Sequence, residues 1–319
     1  MALPPPLVSV IIPTYLRPEL VHRAVQSVLA QTLTQLEVIV VVDGGDAETR
    51  TALATCADPR LRLVLPGRRL GNAGARNAGV QEARADWVAF LDDDDVWLPQ
   101  KLARQYETAR RSRLPYPIVS CRLIARSERG DLVWPRRFPG AGEPLSEYFF
   151  CRRTPFTGEG MVINSAILTR RQLLDRVPFQ DGLERHVDPD WLLRAAREPG
   201  AGLVFVPEPE PLLIWHVEQG RRRITTMRDW RASLAWCREQ RDLFTARAYA
   251  AFVLHVVGSN AAAQGEGTAF LLLLREAFRR GRPAPVDLLS HVGNFLLPDR
   301  AQRGLATLFG RLSAARRPG

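Results

Sequence analysis

The sequence predicts an α/β fold, a mostly parallel sheet sandwiched by helices and followed by a C-terminal helical appendage. Three observations lead there. In the first hundred residues, short runs of branched apolar residues alternate with segments of helical period, the pattern of a parallel sheet covered on both faces. Those runs are nearly continuous in hydrophobicity, as in strands buried on both sides. From Met227 onward, almost every segment has helical period instead.

Taken in order, Leu7–Ile12 reads as the first strand and about 18–30 as the helix that follows. Glu37–Val42, a helix over 47–56, Leu61–Leu65, a helix over 73–84 and Trp87–Leu91 repeat the alternation, and a helix over Pro99–Arg111 closes it. Beyond residue 113 the pattern loosens. Strands are expected at 117–125 and 161–164, a helix from about Pro189 to Glu198, and a strand at Leu203–Val206 before the Pro-rich run 207–211. Residues 227–319 form the helical region, with Pro283, Pro285 and Pro298 marking breaks between helices. The apolar stretch 248–263 contains His255, Ser259 and Asn260, so it reads as a buried helix and not as a membrane span.

A chain of 319 residues can bury a full core with room for a second small domain. With 46% hydrophobic and 24% charged residues it is globular, not disordered. The net charge of +10 is uneven: residues 1–220 carry 27 basic and 27 acidic side chains, whereas 221–319 carry 17 and 7. The tail's arginines are scattered, without an aromatic platform, which argues against nucleic acid. Its apolar helix faces and basic flanks leave three uses open: peripheral contact with an anionic membrane, packing within the chain, or a homodimer. Cys56, Cys121, Cys151 and Cys237 lie far apart with no metal-ligand spacing and read as reduced thiols. The start, Met-Ala-Leu-Pro-Pro-Pro, lacks the basic and apolar regions of a signal peptide, so a cytoplasmic protein is expected.

In open sheets of this kind, ligands bind beyond the carboxyl ends of the strands. Three strand ends are polar here: Pro13-Thr14-Tyr15, Asp43-Gly44-Gly45-Asp46 and Asp92-Asp93-Asp94-Asp95. Four consecutive aspartates repel one another unless a cation sits among them. All-oxygen donors suit Mg²⁺ or Mn²⁺, ions that share their shell with a substrate phosphate. The alternative is a solvated acidic turn at the start of the next helix. The Asp43 carboxylate suits a base N–H, or else belongs to an ordinary turn with Asp46 as the helix N-cap. Gly71–Gly79 opens a helix with two glycines, and Arg76 lies one turn inside. That reads either as an anion site or as tight packing of helix on sheet.

These blocks, VSVIIPTYLRPELVHRAVQSVLAQ, EVIVVVDGGDAET, GNAGARNAGV and ADWVAFLDDDDVWLPQKL, together resemble the family 2 glycosyltransferases of GT-A fold, of the bacterial polysaccharide or lipopolysaccharide type. The likeness covers roughly residues 7–215. It implies a nucleotide-binding half at 1–112 and an acceptor-binding half at 113–226, together one domain at 1–226. It implies that Pro13, Thr14 and Tyr15 line the base pocket, that Asp43 binds the base, and that Arg76 lies near base and diphosphate. Asp92 and Asp94 would form the family's DxD motif, with Asp94 the direct ligand of Mn²⁺ or Mg²⁺ and Asp92 or Asp93 near the ribose. One departure is visible: Val42 stands where the family often has a further acid. The segment 183–194 resembles the family's later acidic motif and makes Asp188 the candidate general base, placed at the N-cap of a helix by Pro189. Capping alone is the other use for it.

The implied reaction is an inverting transfer from a nucleotide-diphosphate sugar, UDP first, to a hydroxyl of a glycan or lipid-linked acceptor. The alternative is a catalytically silent scaffold. His186 would orient the acceptor or fill structure, His216 would approach the diphosphate or metal or be buried, and the turn 158–160 would shape the acceptor pocket. A nucleotidyltransferase would open with a Gly-rich loop after the first strand, which Pro13-Thr14-Tyr15 is not.

Overall fold

The computed structural model describes residues 4–128, 130–153, 159–217 and 229–297. They form two compact units, 4–136 with 162–217 and 137–161 with 229–297. The segment 137–161 therefore groups with the C-terminal helices, although the sequence placed it in the first domain. Gly158, Pro298 and the rest of the tail to 319 lie outside the described residues.

In the first unit, β1 (Val8–Thr14), α1 (Pro18–Leu29), β2 (Leu36–Val42), α2 (Ala47–Ala54), β3 (Leu61–Val64), α3 (Gly71–Gln81) and β4 (Trp87–Phe90) follow the expected alternation. Every residue of β1, β2 and β4 is buried, as continuous apolar strands require. After β4 come β5 (Val96–Trp97), α4 (Lys101–Arg111), β6 (Tyr116–Ser120), β7 (Leu123–Ser127) and β8 (Gly130–Trp134). The single strand expected at 117–125 is thus two, broken at Cys121-Arg122, because its halves join different sheets.

The seven-stranded sheet has the order β10-β6-β9-β4-β1-β2-β3, where β9 is Leu168–Arg170 and β10 is Ala201–Phe205. It is parallel except at β9, which runs antiparallel to β4 and β6. The expected strand at 161–164 is not formed. A single 3₁₀ turn occupies Asn164–Ala166, and the strand starts only at Leu168. The helices α6 (Arg171–Arg176) and α7 (Val187–Ala195) lie between β9 and β10. A second sheet, β5-β11-β7-β8, is completed by β11 (Leu213–His216).

In the second unit, α5 (Leu145–Phe150) belongs with α8 (Trp230–Glu239), α9 (Ala246–Phe252), α10 (Gly258–Ala263), α11 (Ala269–Arg280) and α12 (Pro285–Leu296). A π turn at Val253–Val257 joins α9 to α10. This stretch is the apolar run noted in the sequence, and it is buried inside the unit, with Tyr249, Phe252, Val253, Leu254 and Val257 in the core. Phe150, Trp236, Phe244 and Phe252 pack ring against ring, with centroids 5.0–5.7 Å apart. Among the described residues, no helix is long and apolar enough to cross a membrane.

Candidate active site

The carboxyl ends of β1, β2 and β4 lie side by side, since β1 pairs in parallel with both neighbours. Pro13 and Thr14 are the buried last residues of β1, and the Asp43 amide continues the ladder by donating to the Thr14 carbonyl at 2.8 Å. Tyr15 follows, half out in solvent, with the Arg69 guanidinium 4.2 Å above its ring. Gly44 lies against that ring and has φ +80°, so a side chain there would be strained and would meet Tyr15 Cε2 at 3.3 Å. Asp43 itself accepts from the Leu70 amide at 2.6 Å and the Gly71 amide at 2.9 Å. The anion expected at the start of α3 is thus partly supplied by the chain. Asp46 caps α2 by accepting from the Thr49 amide at 2.7 Å.

Each member of the aspartate run has its own environment. Asp92 receives the Arg76 guanidinium at 2.5 Å. Arg76 is fully buried on α3, and its Nε and Nη1 have no hydrogen-bond partner. Asp93 is buried, accepts from Thr14 Oγ1 at 2.8 Å and from Arg17 at 2.9 Å, and its carboxyl is pushed up to about 6, by burial first, against the pull of Arg17. Arg17 also stands 3.8 Å from Asp94, whose carbonyl accepts from Arg23 at 2.8 Å. Asp95 is buried, accepts from Ser165 Oγ at 2.6 Å and the His216 amide at 3.3 Å, and burial with the charges of Asp92 and Asp94 raises its carboxyl well above the usual range. The repulsion that the sequence assigned to a metal is therefore partly offset by Arg76 and by Arg17, which the sequence did not single out, while the charges of Asp92 and Asp94 still act on Asp95. Among the described residues, no group of three or more His, Cys, Asp or Glu side chains is placed to hold a metal ion. An ion here would need ligands from a bound diphosphate.

Asp188 is not the N-cap of its helix. That position is His186, at φ 60°, and α7 starts at Val187. Pro189 is third in the helix, where its missing N–H is still no loss. The Asp188 carboxylate turns instead to Asn164, accepting from its amide N–H at 3.1 Å and, closer still, from its side-chain Nδ2. Burial lifts the Asp188 carboxyl to about 6; Arg76 pulls it down and Asp92 pushes it up, which puts Asp188 within electrostatic range of the aspartate run.

Asn164 and Ser165, both fully buried, were not flagged by the sequence, yet they tie the site together. Ser165 Oγ accepts from the Asp92 amide at 3.1 Å while donating to Asp95, and the Ser165 carbonyl accepts from Trp97 Nε1 at 2.8 Å. One turn thus holds the candidate base through its first residue and the aspartate run through its second. His186 is half-buried, and burial with the nearby Arg185 charge pushes its imidazole down to about 4. His216 is buried at the end of β11 and meets Asp95 through its backbone. In the second unit, Glu159 pairs with Arg137 at 3.4 Å, and Gly160 sits so close to the Tyr148 carbonyl that a Cβ would lie 2.1 Å from it.

A mostly parallel sheet with a run of aspartates and a buried arginine at its carboxyl edge is an α/β scaffold of the kind that binds its ligands at that edge. The comparisons name the family: residues 9–177 match the model of glycosyl transferase family 2, and the chain belongs to that family. Its fold is GT-A. The chain is 40% identical over 222 residues to the succinoglycan biosynthesis protein ExoO of Rhizobium meliloti, a stretch that covers 67% of this chain and 62% of that one. It is 33% identical over 132 residues, 41% of this chain and 52% of the other, to an Escherichia coli UDP-Glc:alpha-D-GlcNAc-diphosphoundecaprenol beta-1,3-glucosyltransferase, WfgD. Among solved structures it resembles the Pyrobaculum calidifontis mannosyltransferase PcManGT, in complex with GDP-Man and Mn²⁺, with a TM-score of 0.59 at 22% identity over 98% of this chain and 86% of that one.

Proposed function

We propose that this protein is an inverting glycosyltransferase of bacterial polysaccharide assembly. It takes a sugar from a nucleotide diphosphate, UDP first, and passes it to a hydroxyl of a glycan or lipid-linked acceptor. The observation that carries this reading is the convergence of Asp188 with Arg76 and Asp92, through the shared Asn164-Ser165 turn. Asp188 removes the acceptor hydroxyl's proton as that oxygen bonds to the anomeric carbon. The bond from that carbon to the diphosphate breaks on the opposite face, which inverts the configuration. Arg76 carries two unpartnered donor nitrogens, suited to the charge that grows on the departing diphosphate. Pro13, Thr14, Tyr15 and Asp43 border the nucleoside, and Asp93 the ribose. Asp94 is the residue that would hold Mn²⁺ or Mg²⁺, jointly with the diphosphate, and the ion would supply further neutralisation of the leaving group. The named activities of the relatives, succinoglycan biosynthesis and glucosyl transfer to a diphosphoundecaprenol-linked sugar, support a polysaccharide acceptor.

Isothermal titration with UDP, dTDP and GDP, each with and without Mn²⁺, tests the donor site. Binding of one nucleotide that Asp94→Ala weakens or frees from metal dependence is the expected result. Failure to bind any of the three would favour the silent scaffold. Asp188→Asn should leave nucleotide binding intact while turnover with the matching sugar donor falls by about 10²–10⁴.

A further inference from the structure

Of the two last described helices, α12 is amphipathic in the inverted sense, and α11 carries large apolar side chains on its outer face as well as its inner one. The buried face of α12 carries Asp287, Ser290 and His291, whereas Leu289, Val292 and Leu296, at spacings of three and four, are exposed at 63%, 39% and 73%. On α11, Leu273 and Ala277 point inward, and Leu271 and Phe278, seven apart and so on one face, are exposed at 72% and 61%. With Leu272, these two helices hold six of the fourteen large apolar side chains exposed among the described residues. A water-facing helix keeps its polar residues outside and its apolar ones inside, so a concentrated apolar surface of this kind marks a binding face. The two helices meet where α11 begins. The Phe270 ring, at the start of α11, packs 4.9 Å from His291 and 5.4 Å from Phe295, near the end of α12. Leu271 and Leu272 follow Phe270 directly in the chain, and Leu296 follows Phe295.

The charge on these two helices selects the occupant. Arg275, Arg279, Arg280 and Arg282 are exposed, while Glu276 and Asp287, the two acids of 269–297, are buried and paired with Arg238 and Arg247. What solvent meets is apolar surface rimmed by positive charge. A second copy would bring like charges together, which disfavours pairing. Leucine and phenylalanine flanked by arginine are what an anionic phospholipid surface takes up, the apolar groups at the acyl boundary and the guanidinium groups at the headgroups. The sequence continues in kind, with five arginines and one aspartate in 298–319.

We propose that α11 and α12 form an interfacial docking surface for an anionic bilayer. The surface is built from residues of the second unit, none of which is assigned to sugar transfer, so it stands or falls independently of that reaction. The test is co-sedimentation of the full-length protein with vesicles of phosphatidylcholine alone or with added phosphatidylglycerol. Binding only to the anionic vesicles, reduced by salt, is expected. Leu289→Ser with Leu296→Ser, and separately Leu271→Ser with Phe278→Ser, should each weaken it roughly tenfold or more, and Arg279→Glu with Arg282→Glu should remove the preference for anionic lipid. The two apolar pairs sit on different helices, so a folding defect in one, read by circular dichroism, leaves the other as the test. The proposal is overturned if the wild-type protein ignores anionic vesicles, or if a well-folded apolar pair binds them unchanged. It is equally overturned if sedimentation velocity shows a dimer that the serine substitutions dissociate.

Discussion

Arg17 shows how much one side chain decides at this site. Asp93 is buried, and burial is the largest influence on its carboxyl, which stands at about 6 even with Arg17 2.9 Å away. Removing the guanidinium takes away the main force that favours the charged form, so the carboxyl must rise further. In Arg17→Met, Asp93 is then protonated over a wider span of neutral pH. Nucleotide binding that needs the carboxylate should weaken at pH 7 and recover as pH rises, whereas in the wild-type protein the loss should begin only as pH falls through about 6. Titration calorimetry with UDP at several pH values checks this. A uniform loss at every pH would mean that Arg17 contacts the nucleotide directly. The sequence placed Asp92, Asp93 and Asp94 at the ligand-binding edge because they follow a strand, and it set Arg76 one turn inside a helix, joined to them by the family resemblance. It could not show that Arg17 already sits among the aspartates, because a residue three positions past the end of β1 can point anywhere until the loop is folded.

At the scale of the element, the two meanings offered for the Gly-rich start of α3 turn out to concern different glycines. Gly71, at φ +74°, lets the chain turn so that its amide and that of Leu70 reach Asp43. Gly79 instead marks contact between helix and sheet, since a Cβ there would lie 2.4 Å from Ile11 Cγ2 and 3.2 Å from Val41 Cγ2. Both neighbours are fully buried strand residues with nowhere to move. Gly79→Ala should therefore destabilise the protein by about 1–3 kcal/mol despite the better helix propensity of alanine. A urea midpoint that falls without a change in slope would check it, and an unchanged or higher midpoint would show that α3 shifts freely on the sheet. Three of the four strands of the first hundred residues, β1, β2 and β4, were legible because burial on both faces leaves an unbroken apolar run. By contrast β3, expected to be buried likewise, lies at the sheet edge and is only half-buried, with Leu63 exposed. The segment 161–164 has the same look, yet it forms no strand. Its polar end, Asn164-Ser165, is committed to Asp188, Asp95 and Asp92, partners 24 to 73 residues away that no local pattern reveals.

At the scale of the whole molecule, the helical unit has a polar knot at its centre that hydropathy alone would not place there. Asp287 is fully buried, accepts from the Ala284 amide at 2.7 Å, receives both terminal nitrogens of Arg247, and meets His255 Nε2 at 2.8 Å. Burial alone would raise its carboxyl, but the His255 hydrogen bond, the Ala284 amide and Arg247 outweigh it and hold it below the usual range. Asp287 thus fastens the start of α12 to α9 and to the π turn that carries His255. Breaking a buried pair by removing one partner leaves the other charge stranded, so Asp287→Ala should cost about 3–5 kcal/mol. The pH dependence has a definite sign. The Asp287 carboxyl is depressed in the folded state, so its contribution is present above the unfolded value and is lost as pH falls. His255, pushed down to about 4 mainly by burial, adds to this, because the unfolded imidazole takes a proton from pH 6.5 downward that the folded one refuses until about 4. Acidification from pH 7 to 5 should therefore loosen residues 246–296 through His255. Hydrogen exchange followed by mass spectrometry would read this as lost protection over α9 and α12, greater in Asp287→Ala, with β1, β2 and β4 still protected. Equal loss in those strands would mean that the two units open together, and that the knot stabilises the chain as one body.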